Sequence, residues 1–130
     1  MTQYAAPDVP FADLDLARRL EAAEGESSAN LVASRAEVDP ESGATSTRIA
    51  GAYAMFDGVG SPITQTFALG LFESAAGPVL SEIEAFFDAR GAETMHEVSP
   101  LADAETLAAL TELQQAGKVE AIYFDKTSTL

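Results

Sequence analysis

Cysteine is absent from the 130 residues, and with it disulfide bridges, a thiolate nucleophile and zinc sites built on thiolates. Histidine occurs once, at His96, so no histidine pair can hold zinc; a serine–histidine–aspartate spacing and a calcium loop are also missing. Positive charge is scarce. Seven Lys and Arg against 21 Asp and Glu give a net charge of -14, which repels phosphate backbones and acidic membrane surfaces and argues against nucleic acid or a membrane as partner. No apolar run approaches the roughly 18 residues of a membrane helix. The first residues lack the basic start and apolar core of a secretory signal, so a cytoplasmic setting is expected. The acidic surplus reads first as a solvated surface and second as an attraction for a cationic substrate such as an amine.

What is present is 47% hydrophobic content in strongly periodic runs, enough for one domain with a real core. Residues 1–12, with Pro7 and Pro10 and little pattern, read as an N-terminal arm, and 13–130 as a single lobe. Asp13 can cap a helix reaching about residue 37, with Leu16, Leu20, Ala23, Ser27 and Leu31 on one face and Gly25 on the other. After the turn at 39–43, Arg48 to Phe56 reads as a central strand and Ile63 to Leu71 as its antiparallel partner. Gly77-Pro78 starts a helix with Val79, Ile83, Phe86 and Phe87 as its apolar stripe.

The chain is organised around Gly91 to Glu105, a strand over 92–98 that feeds a helix through the Ser99-Pro100 turn. That helix, about 103–116, is capped by Asp103 and turns Leu107, Leu110 and Leu113 inward; Val119 to Asp125 closes the chain as a strand. The order helix, strand, strand, helix, strand, helix, strand predicts an α/β class, α+β mixed, with a partly parallel central sheet flanked by helices.

Motifs that carry chemistry are few. Gly58 to Pro62 joins two strands and reads as a turn rather than a phosphate loop. The junction Phe72 to Pro78 could offer helix N-terminal amides to a pyrophosphate, but Glu73 brings negative charge, Pro78 removes a donor and no Arg or Lys is near in sequence. Glu82, Glu84 and Asp88 read as a solvated helix face. His96 beside Glu97 on a strand reads more readily as packing than as an acid–base pair. The ending Phe124 to Leu130 is similar to the Asp-Lys-Thr-Gly-Thr motif of P-type ATPases, with Ser128 in place of glycine, yet no magnesium ligands follow it and alone it cannot carry that reaction.

Three segments, Leu16 to Glu24, Gly51 to Gln65 and Gly91 to Asp103, together resemble one group of bacterial GNAT-superfamily N-acetyltransferases across about residues 13 to 113. The resemblance implies the N-terminal lobe of a two-lobed protein, a mixed sheet flanked by helices, whose C-terminal lobe normally binds acetyl-CoA. This chain is read as lacking that second lobe. Of the superfamily's cofactor motif, Arg/Gln-x-x-Gly-x-Gly/Ala, only Gly77 answers, with Ala76 beside it, so acetyl-CoA is implied for the family rather than for this chain. Residues 114–130 depart from the family's continuation. In a two-lobed relative this lobe would shape the groove for an amine acceptor, with Asp57, Ser61, His96 and Glu97 as its candidate residues. The competing expectation is a non-enzymatic interaction module that self-associates or docks on a second GNAT lobe.

Overall fold

The computed structural model describes residues 13–124; the arm at 1–12 and the aspartyl-phosphate-like residues Asp125 to Leu130 lie outside the described residues. Helix α1 is Leu14–Val38, entered through Asp13, whose carboxylate accepts from the Leu16 amide at 2.7 Å. A single 3-10 turn, Pro40–Ser42, leads into strands β1 (Thr45–Ile49), β2 (Ala52–Phe56) and β3 (Gln65–Phe67). Helix α2 (Pro78–Asp88), β4 (Met95–Val98), α3 (Ala104–Gln115) and β5 (Glu120–Tyr123) follow.

The strands form one mixed sheet in the order β1-β2-β3-β4-β5. The first three are antiparallel neighbours; β3–β4 and β4–β5 are parallel, as two helical crossovers require. Because side chains alternate along a strand, each face builds its own core. Tyr53, Met55, Phe67 and Leu71 pack with Ala17 and Val32 of α1. Ala54, Phe56 and Val98 pack with Leu80, Ile83 and Phe87 of α2 and Leu110 of α3. Among the described residues no helix is long and apolar enough to cross a membrane.

The sequence expectations hold for the mixed sheet and the three helices and fail in three places. Arg48 to Phe56 is not one strand, because Ala50 and Gly51 both take positive φ, 51° and 79°, and fold β1 back on β2 with Ile49 opposite Ala52. Two left-handed residues make the tight hairpin turn whose twist matches the strands. Arg48 secures it, donating to the Gly51 carbonyl at 2.8 Å with its guanidinium 3.8 Å from the centre of the Tyr53 ring. Ile63 to Leu71 shrinks to Gln65–Phe67, since Ala68 leaves the extended region at φ 65°.

The third failure is the buried face of α1. Ala17, Glu21, Gly25 and Val32 meet the sheet, whereas Ala23, Ser27 and Leu31 are exposed and Leu16 and Leu20 half-buried. Close approach, not hydrophobicity, selects this face. A Cβ on Gly25 would stand 2.7 Å from both Cγ and Cε1 of Tyr53 and closer still to Cδ1. Tyr53 cannot easily yield, because its hydroxyl donates to Glu26 at 3.1 Å and Arg48 covers its ring. The stripes of α2 and α3 are read more nearly: Ile83, Phe87 and Leu110 are buried, Leu80 and Thr106 join them, and Val79, Phe86, Leu107 and Leu113 are partly buried.

Gly25→Ala is therefore expected to lower stability by about 1–3 kcal/mol through overpacking, despite alanine's higher helix propensity. Leu31→Ala, at an exposed stripe position, is expected to change it by less than about 0.5 kcal/mol. Urea denaturation of the two variants measures both, and equal losses would refute the rotated face.

Candidate functional site

The four acceptor-groove candidates do not converge. Asp57 and Ser61 meet at the β2–β3 connection, where the Ser61 hydroxyl donates to Asp57 Oδ2 at 3.0 Å. The same loop is internally bonded: Thr64 Oγ1 accepts from the Asp57 amide at 2.9 Å and donates to the Gly58 carbonyl at 2.6 Å, and Ser61 Oγ accepts from the Ile63 amide at 3.2 Å. Arg35 of α1 comes within 3.6 Å of Asp57. These contacts give the pair a turn-holding role.

His96 is sealed between the sheet and the α2–α3 layer, with 0% of its surface exposed. Its Nδ1 lies 2.8 Å from Thr66 Oγ1, and its Nε2 has no partner among the described residues. Burial lowers its pKa from 6.5 to about 4, because a charge there has no water to solvate it. The ring is therefore neutral near pH 7.

Glu97, the next residue on β4, points to the opposite face and meets Glu21 and Glu24 of α1. The three carboxylates place one oxygen each within 4.8 Å of one another. Glu21 is 3% exposed, and its Oε1 accepts from the Ala68 amide at 3.1 Å, at the residue where β3 leaves its extended course. Oxygen donors this close are of the kind a hard cation takes. Sequence reasoning missed Glu21 and Glu24 because it turned this face of α1 away from the sheet. Their one visible signal is the i, i+3 spacing that puts both on one side of a helix.

The junction ahead of α2 was the sequence's cofactor candidate, through Ala76 and Gly77. Here the spatial environment differs from the linear one. Arg18 of α1 reaches the junction, donating from Nε to the Leu71 carbonyl at 2.6 Å and lying 5.8 Å from the centre of the Phe72 ring. Two amides ahead of α2 are taken, Ala75 N–H donating to Thr106 Oγ1 at 2.9 Å and Ala76 N–H to Ser74 Oγ at 3.5 Å, and Pro78 has none. Thr106 in turn donates to Asp103, which caps α3. Burial pushes the Asp103 carboxyl up, but hydrogen bonds from Thr106, Ser74 and the Glu105 amide outweigh it and hold the carboxyl below its ordinary value. With Asp103 ionised and Glu73 beside it, the adjoining cleft of about 190 Å³ sets two carboxylates against Arg18. The residues present do not fit a pyrophosphate.

Comparison with known protein families, with curated proteins and with solved structures gives no match for this chain.

Two outcomes check this geometry. His96 has a folded pKa below its unfolded one, so the unfolded chain takes up its proton first as pH falls from 6.5 toward 4, and stability falls with it. Between pH 7.5 and 5 the His96 contribution is a loss of about 2 kcal/mol. His96→Gln should flatten that part of the denaturation-versus-pH curve, and an unchanged slope would contradict the sealed ring. Glu21→Ala, which strands the Ala68 amide, should cost about 1–3 kcal/mol, with Glu21→Gln costing less because it keeps an acceptor.

Proposed function

We propose that this chain is a GNAT-like lobe of the acetyltransferase class that leaves acetyl-CoA to a second lobe and contributes to the acceptor side of a two-lobed assembly. One observation carries the reading: an antiparallel run, β1 to β3, passes into β3–α2–β4–α3–β5 parallel crossovers, with β3 and β4 paired only at Thr66 and His96. A mixed sheet flanked by helices is the architecture that the resemblance implies for such a lobe. Acyl transfer to an amine needs a bound thioester, a positioned acceptor and a group to take the proton. The occupied amides before α2 argue against the first in this chain. His96 is too enclosed to be the third, which leaves the partly exposed Glu24 and Glu97 as the accessible acids of the α1 face, Glu21 beside them being buried. Isothermal titration with acetyl-CoA, alongside a two-lobed enzyme as positive control, is expected to give no saturable heat up to about 1 mM. Saturable binding would overturn this division of labour.

A second reading, an interaction module, is favoured by β5. It is an edge strand of the sheet, and Ile122, Tyr123 and Phe124 are 45%, 44% and 45% exposed. Such an edge can add a strand from another copy. Sedimentation at high protein concentration and raised salt decides it: a dimer lost on replacing Ile122 with Lys supports the edge, and a strict monomer removes self-association.

A further inference from the structure

Because α1 meets the sheet through Ala17, Glu21, Gly25 and Val32, a second stripe of the helix is left facing outward. It holds Leu16, Leu20, Ala23, Ser27, Leu31, Ser34 and Val38, whose steps of 4, 3, 4, 4, 3 and 4 residues keep them within about 40° of one line on a 3.6-residue helix. Leu31 is 54% and Val38 85% exposed, among the most open of the large apolar side chains described. We propose that this stripe packs against α1 of a second copy of the chain, antiparallel and with a twofold axis beside Ser27.

The order of steps is the same read from either end, so pairing about Ser27 sets every stripe residue opposite another, and a shifted register loses the match. Size then selects the direction. The antiparallel pair places Leu31 over Ala23 and Leu20 over Ser34, large side chain into small space, with Leu16 over Val38 at each end. A parallel pair would face leucine with leucine and serine with serine across the same gap.

Charge selects the same direction. Arg19 and Glu37, both exposed, flank one side of the stripe, eight residues before and ten after Ser27. Like flanks meet in an antiparallel pair, so Arg19 of each copy faces the partner's Glu37. Each is available: Arg19 has only a surface ion pair with Asp15 at 3.4 Å, and Glu37 has none among the described residues. The helix dipoles also lie head to tail. The contact involves α1 alone, so it is independent of acetyl-CoA and distinct from the β5 edge.

The absence of cysteine makes the test direct. Helices packed about 8–10 Å apart, with Cα atoms about 2.3 Å from each axis, bring residues on the twofold axis within the roughly 4.4–6.8 Å that a disulfide spans. Under mild oxidation the full chain carrying Ser27→Cys should cross-link about tenfold faster than the chain carrying Ala33→Cys, which is exposed but off the stripe. Sedimentation at about 0.15 M ionic strength should show a monomer–dimer equilibrium, weakened about tenfold or more by Leu31→Glu. Arg19→Glu or Glu37→Arg alone should weaken it, and the two together should restore it, while Ile122→Lys leaves it unchanged. Circular dichroism confirms that the variants fold, all the substituted residues being exposed. Urea unfolding of dilute protein reads the monomer, so the small effect expected there for Leu31→Ala stands. A strict monomer at about 1 mM, equal cross-linking of the two cysteine variants, or a dimer that survives Leu31→Glu would overturn the α1 pairing.

Discussion

The hydrogen bond between Thr66 and His96 is the joint on which this sheet depends. Its residues are the one matched pair between β3 and β4, where the antiparallel run ends and the parallel run begins. A ladder of one pair has little backbone bonding of its own, so side chains must hold the register. At 0% exposure for both residues the bond is shielded from water, where it is stronger than a surface bond and where loss of either partner leaves a polar group stranded. His96 already carries one such debt at Nε2. A neutral ring is the form that keeps it smallest.

Around that joint the two faces solve different problems. Beyond the Thr66–His96 bond the α2–α3 face packs mainly on apolar side chains, and its helices sit on it through Ile83, Phe87 and Leu110 in the ordinary way of an amphipathic stripe. The α1 face mixes close steric contact with polar fastening. Gly25 lets the helix backbone approach the Tyr53 ring, and Glu21 reaches across to hold the amide of Ala68. Residues that a hydrophobicity pattern would send to solvent thus determine where α1 lies.

That difference decides what could be read from the sequence. Asp13, Pro78 and Asp103 act locally, through a cap or a fixed φ, and the helices they start were legible. The α2 stripe was legible because its contacts follow the 3.6-residue period. The turn at Ala50-Gly51 was not, since alanine carries no local signal for a left-handed conformation and the surrounding apolar run hides the reversal. The acidic trio and the arrival of Arg18 at the α2 junction were illegible for a common reason. Each is made by elements distant in sequence, and linear spacing says nothing about which faces will meet. Of the acids read as a solvated helix face, Glu82 and Asp88 are exposed, whereas Glu84 is half-buried because α3 comes up beside it.

The same joint gives the chain an asymmetry in time. On one side of β2 only the two residues Ala50 and Gly51 separate the strands, a loop that costs little entropy to close and belongs to the microsecond range of hairpins. On the other side Thr66 must find His96 across 30 positions, with α2 to be formed on the way. Contacts of long sequence separation are the slow ones. The meander of β1, β2 and β3 is thus the natural early piece of this molecule, and the parallel seam is where its assembly waits.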